Sequence, residues 1–196
     1  RKKAAAAESE EVTSAEDSGS NVLIAYFTMP EDVDTTGVDA IAGASIVVNG
    51  DAVMGNVEYM AHVIRETVGG DLFRIETVQQ YPLVDQAAQE QDEQARPALS
   101  AHIENLDQYD TILLGYPNWW ADLPQPLYTF LEEYDLSGKT IIPFNSHNGS
   151  RFSNTIETIQ ELQPNATVIE DGFTINERDV PEAAEDVAQW LQGLGY

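Results

Sequence analysis

The chain has 196 residues, 42% of them hydrophobic, which is enough for one compact domain with a full core and leaves little room for a second. Thirty-four acidic residues stand against nine basic ones, a net charge of -25, so nucleic acid and anionic membranes are poor partners and proteins with basic docking surfaces are better ones. Cysteine is absent, which excludes disulfides, thiolate metal sites and thiol chemistry, and no apolar run approaches the roughly 20 residues that span a bilayer.

Residues 1–20 form a different material from the rest. Arg1-Lys2-Lys3 and a run of alanines lead into a Glu/Ser-rich stretch with one large apolar residue, Val12. Such a segment cannot bury enough surface to offset its ordering entropy, and it reads as a polar tether, disordered or helical near the alanines. The chain starts without methionine. A spacer behind the removed signal of an exported or surface-anchored bacterial protein and a plain tail on a cytoplasmic one are equally compatible with this.

The globular part, residues 21–196, opens with Val22 to Phe27, apolar on both faces as a strand in a helix-covered parallel sheet must be. Thr28 ends it. The amphipathic helix that follows begins only at Gly55-Asn56, with Val57, Met60, Ala61, Ile64 and Val68 on one stripe. The insertion from Met29 to Met54 is too long for an ordinary strand-to-helix loop, and its Asn49-Gly50 between apolar runs predicts a β-hairpin. Gly69-Gly70 stops the helix, and Asp71 to Glu76 is the next strand.

Tyr81-Pro82 reads as a turn, Asp85 to Arg96 as an exposed helix closed by Pro97, and His102 to Leu106 as a weaker helical segment. Thr111 to Leu114 is a buried strand expected to stop at Gly115-Tyr116-Pro117. Behind it come Asn118, Trp119 and Trp120, two adjacent indoles on a loop, which either cap the core or form a wall for a flat ligand. Leu127, Phe130 and Leu131 mark a helix running to about Ser137-Gly138, and Thr140 to Phe144 a fourth strand, with Asn145 to Ser150 as its loop. Asn154 with Glu157 predicts a capping box for a helix carrying Ile156, Ile159 and Leu162. Thr167-Val168-Ile169 starts the fifth strand, and Asp179 with Glu182 is expected to cap a last helix with Ala184, Val187, Ala188 and Leu191.

Five strands alternating with helices predict a doubly wound α/β sheet, and in the order 2-1-3-4-5 the ligand crevice lies beyond the carboxyl ends of the first and third strands. Thr28 with Gly55-Asn56 would there face the tryptophan loop. A helix start can hold a phosphate on its unpaired amides, and here it would have to, since no Lys or Arg occurs between Phe27 and Met60. Read alone, the same residues also suit simple capping. His62 and His102 read as structural or surface residues, and Glu90, Asp92 and Glu93 as a solvated helix face. For His147, in the ligand loop, lining the site and facing away are equally open. No catalytic residue and no metal ligand is assigned.

The segments AYFT, GNV at the helix start, LLGYPNWW and IIPFNSHNGS together resemble the flavodoxin family, the Tyr-Pro-Asn-Trp-Trp loop being the most specific. The resemblance implies a flavodoxin-like fold from Asn21 onward and a noncovalent FMN. It places the phosphate at Thr28, Met29, Gly55, Asn56 and Val57, and the isoalloxazine between Pro117, Asn118, Trp119, Trp120 and Ser146, His147, Asn148, Gly149. Two departures stand out: the insertion separates Thr28 from Gly55, and Val57 replaces a common threonine, which removes a hydroxyl and keeps an amide. The expected role is a low-potential electron carrier, because surrounding negative charge penalises an anionic reduced flavin. An FMN-dependent NAD(P)H:quinone oxidoreductase and a cofactor-free protein-binding module are the alternatives.

Overall fold

The computed structural model describes residues 21–28, 46–49, 52–78 and 89–196, with 46–49, 52 and 53 described by their backbone alone. The expectations for the tether, Met29, the Asn49-Gly50 turn itself, Tyr81-Pro82 and the start of the Asp85 helix fall outside these residues.

Strands β1 (Val22–Tyr26), β4 (Asp71–Arg74), β5 (Thr111–Pro117), β6 (Thr140–His147) and β7 (Thr167–Val168) lie in the order β4-β1-β5-β6-β7, and β8 (Phe173–Asn176) also pairs with β6. Every pairing is parallel. This is the predicted 2-1-3-4-5 order with six strands in place of five, because the fifth is split: β7 pairs with the start of β6 and β8 with its end. Between β1 and the first helix, β2 (Ile46–Asn49) and β3 (Ala52–Gly55) form the expected antiparallel ribbon.

Among the described residues, α1 (Asn56–Val68), α2 (Gln125–Glu133), α3 (Thr155–Leu162) and α4 (Ala184–Gly193) cover the sheet. Alternate strand residues point to opposite faces. Leu23, Ala25, Ile112, Leu114 and Ile141 therefore pack with Leu127, Phe130 and Leu131 of α2 and Ile159 of α3. Val22, Ile24, Leu113 and Ile142 pack on the other face with Val57, Met60, Ala61 and Ile64 of α1 and Val187 and Leu191 of α4. Each such side chain taken from water contributes about 1.5–3 kcal/mol. The left-handed Gly69, at φ 68°, closes α1 by donating to the Arg65 carbonyl.

β5 ends at Pro117, within the Gly115-Tyr116-Pro117 stop expected of it, the proline serving as the last rung beside β6. Several other sequence expectations are corrected. β6 takes in Asn145, Ser146 and His147, which β8 pairs from the other side. Residues 102–105 are not helical. The Ile103 N–H donates to the Tyr134 hydroxyl at 2.8 Å, and only a single 3-10 turn, Leu106–Gln108, follows. α2 ends at Glu133, four residues early, where Asp135 accepts the Ser137 N–H and Gln163 accepts the Leu136 N–H. Neither predicted cap forms. The Asn154 side chain makes no capping bond, and α4 is preceded by a 3-10 segment, Glu177–Glu182, so that Ala183 and not Asp179 stands at its start. Ala184 is consequently exposed while Ala183 is buried.

Candidate functional site

The ribbon settles whether Thr28 and Gly55 can meet. Gly55 is the last residue of β3, paired with Ile46 across the ribbon, and the first residue outside α1. A Cβ on Gly55 would collide with the Thr28 hydroxyl and stand 3.1 Å from Thr28 Cβ, so the two halves of the interrupted loop touch. Glycine is required by that approach, since its φ of -62° suits any residue.

Next to this contact α1 presents its amino end. The amides of a first helical turn have no partner within the helix, and they carry the positive end of its dipole. Asn56 is 2% exposed, and its Oδ1 and Nδ2 are both buried without a hydrogen-bond partner among the described residues. Leaving one such group unsatisfied costs about 1–3 kcal/mol, so an asparagine with two is costly to hold there. Thr28 is 5% exposed. Val57, 1% exposed, lies against the sheet with its Cγ1 2.9 Å from where a Cβ on Gly115 would be. Gly115 thus lets the helix start approach the strand, and the valine in the threonine position serves the core.

The two tryptophans differ in environment, and of them Trp119 packs on the core. Trp119 is half-buried, with its ring edge-on to Phe27 at 5.5 Å and 85°. Trp120 is 58% exposed. What separates them is a tight reversal: Trp119 and Asp122 exchange N–H···O bonds of 3.0 and 3.2 Å, and Trp120 and Ala121 between them have φ of 54° and 59°. Two positive φ values across such a bridge are the signature of a type I′ turn, which favours Asn-Gly and strains Trp-Ala. Asp122 holds the reversal, its Oδ1 accepting the Leu123 N–H at 2.7 Å and the Tyr128 hydroxyl at 2.6 Å. A shallow groove beside the indoles is completed by Glu90, Gln91, Leu123, Pro124 and Gln125.

The third segment is the end of β6 and its loop. Asn118 donates its amide N–H to the Ser146 carbonyl at 2.8 Å, which joins this segment to the tryptophan turn. Asn118 Nδ2 and Asn145 Nδ2 both donate to the carbonyl of Arg151, at 2.6 and 3.0 Å, while Asn118 Oδ1 is buried without a partner. Asn145 is fully buried, and its Oδ1 accepts from Thr174 of β8. Arg151 and Ser153 sit at φ 54° and 50°. His147 is half-buried and its Nδ1 accepts the Gly149 N–H at 2.8 Å. Burial, and after it the Arg151 charge, holds the imidazole pKa below its ordinary 6.5, with Asp179 pulling the other way.

Of the residues singled out in the sequence, Thr28, Gly55, Asn56 and Val57 gather at the start of α1, while Pro117 to Trp120 and Ser146 to Gly149 are adjacent through β5 and β6. Asp122, Asn145 and the Arg151 carbonyl were missed. Nothing in the sequence flagged them, because each acts by holding backbone rather than by chemistry of its own. His62 is partly exposed on α1, and His102 pairs with Glu133 at 2.8 Å. Among the described residues no cluster of His, Asp or Glu could hold a metal ion, and no helix is long and apolar enough to cross a membrane.

A parallel sheet wound on both faces, with a helix start and two loops converging beyond its central strands, defines a nucleotide-site class of α/β protein. The chain belongs to the flavodoxin family, whose model matches residues 46–194. It is similar to a solved structure from Bacteroides uniformis assigned as a flavoprotein, with 27% identity, 89% of this chain and 99% of that one covered, and a TM-score of 0.67. A second such structure, from Bacteroides eggerthii, has 26% identity, coverage of 86% and 98%, and a TM-score of 0.62. A flavoprotein in complex with FMN from Lactobacillus acidophilus shares the fold at 17% identity, coverage of 83% and 97%, and a TM-score of 0.56. No curated protein matches the chain by sequence.

Proposed function

We propose that this domain binds FMN noncovalently and passes electrons between partner proteins. The observation that carries the reading is Asn56, which is buried with both side-chain polar atoms unpartnered at the start of α1 and against the Thr28–Gly55 contact. A phosphate answers the donors of that arrangement: its oxygens accept from the helix amides, from the Thr28 hydroxyl and from Asn56 Nδ2, while Asn56 Oδ1, an acceptor, is left to a water or another donor. Backbone of Gly55 and Val57, and Met29 by position, would complete the holder. The residues present fit the group, since neither a bulky side chain nor a competing carboxylate occupies Thr28, Gly55 or Asn56.

Pro117 to Trp120 and Ser146 to Gly149 would flank the flavin ring, Trp120 supplying an exposed indole for stacking. FMN supplies the electron chemistry, and the chain's part is to bind, orient and set the local field. The net charge of -25 disfavours added negative charge in the site, which supports a low potential, and it favours partners with basic docking surfaces. The family membership and the FMN complex of the Lactobacillus acidophilus relative support the reading.

Titration of the purified protein with FMN, followed by flavin fluorescence and the visible spectrum, tests it. Stoichiometric quenching is expected, with a two-electron potential below that of free FMN; colourless protein that leaves FMN fluorescence unchanged would sink it. The shallow groove beside Trp119 and Trp120 marks where a second flat substrate would have to dock in a second reading, an FMN-dependent NAD(P)H:quinone oxidoreductase. Quinone turnover with NAD(P)H and no added reductase separates it from a carrier.

A further inference from the structure

His147 is the last residue of β6, in register with Asn176 of β8, and two residues later the chain turns back on it. The Gly149 N–H donates to His147 Nδ1 at 2.8 Å. Only a neutral imidazole with its proton on Nε2 can accept there; a protonated ring would set one N–H against another. Gly149 has φ +108°, a conformation that side-chain-bearing residues rarely adopt, so the contact holds a specific reversal. The far end of the same loop is held differently, by Asn118 and Asn145 on the Arg151 carbonyl, bonds that do not titrate. The tip, Asn148 to Ser150, is exposed between a protonation-dependent fastening and a permanent one.

We propose that His147 is a positioning residue whose neutral ring keeps the Asn148–Ser150 tip in its cofactor-binding form, and whose protonation frees the tip and weakens FMN binding. This rests on the FMN reading above. The charged groups acting on the ring are Arg151 from its own loop and Asp179 from the turn behind β8; the neighbouring β5 end offers the uncharged Asn118. Burial and Arg151 outweigh Asp179, so the ring is neutral at pH 7 and takes its proton below the ordinary 6.5. Because the binding form holds the ring neutral, affinity is complete above that value. It falls as pH drops through the lowered pKa, by about tenfold per pH unit beyond it.

The test compares wild type, His147→Asn and His147→Leu, by FMN fluorescence titration from about pH 5 to about pH 8 and by the Gly149 amide resonance in the FMN-free protein. Asparagine keeps an acceptor near the Nδ1 position and does not titrate. The second ionisation of the FMN phosphate, near pH ~6, is common to all three proteins and cancels in the comparison. Each protein is referred to its own affinity at the alkaline end, and from there to the acid end wild type is expected to lose about tenfold more affinity than His147→Asn. His147→Leu is expected to be weak throughout, and the Gly149 resonance to move with a pKa below 6.5 in wild type alone. Superimposable pH curves for wild type and His147→Asn, or a Gly149 amide indifferent to pH, overturn the proposal. Lack of FMN binding by all three proteins at the alkaline end overturns the cofactor reading and the positioning role with it, and the Gly149 resonance then still decides whether the loop responds to the imidazole.

Discussion

The two ends of the candidate site are built on opposite plans. At the start of α1, Thr28, Asn56 and Val57 are all at most 5% exposed, and the missing Cβ at Gly55 lets the Thr28 side chain close against it. At the tryptophan turn, Trp120 is 58% exposed on a strained reversal, and Asn148 to Ser150 lie open on the other side. An anionic group is held well only by dipoles already aimed at it and shielded from water. A ring that exchanges electrons with an outside protein needs one edge within reach. On the proposed reading, the difference teaches that affinity and access fall to different segments, joined through β1 and β5.

Substitutions should separate the two ends. The largest effect is expected from Gly55→Val, whose side chain enters the space of the Thr28 hydroxyl: FMN binding should weaken by about a hundredfold or more, with overpacking adding about 1–3 kcal/mol of destabilisation. Flavin fluorescence and thermal melts read the two effects separately, and unchanged binding would break the assignment of the phosphate to this end. The indoles should then part company. Trp119→Ala, which loses the edge contact with Phe27, is expected to cost about 2–3 kcal/mol of stability in denaturant melts. Trp120→Gly should leave stability within about 0.5 kcal/mol, or raise it by relieving the positive φ, while FMN affinity falls. Equal losses of stability would show both indoles to be core. The smallest and most diagnostic change is Asn56→Leu, which replaces two unsatisfied buried polar atoms by an apolar group of similar size. The FMN-free protein should gain about 1 kcal/mol while affinity drops about tenfold, and a destabilised protein would mean that Asn56 is structural.

Much of the sheet could be read in advance because parallel strands buried on both faces are written as unbroken apolar runs, as at Val22 to Phe27 and Thr111 to Leu114. The strand ends could not. β6 continues through His147 only because β8, some thirty residues further on, pairs with it, and that partner carries no signal within β6 itself. The segment at His102 lost its helix to a distant hydroxyl, that of Tyr134. At the site, the hairpin signal at Asn49-Gly50 correctly implied that Gly55 could return to Thr28, and the paired tryptophans fall on the reversal that follows β5. Their difference in environment was hidden, because Trp120-Ala121 occupies a turn whose usual residues are Asn-Gly. Asn145 and Asp122 were hidden for the same reason that many supporting residues are: what they bind is another residue's backbone.

The phosphate site proposed at the start of α1 has a consequence for kinetics. It offers neutral groups inside a chain of charge -25, so a doubly negative ligand would feel repulsion on approach. Adding salt shortens the range of that repulsion, to about 10 Å at 0.1 M, without weakening bonds made by buried amides. Stopped-flow mixing should therefore show FMN captured faster as ionic strength rises, the reverse of the behaviour of a site lined with lysine and arginine.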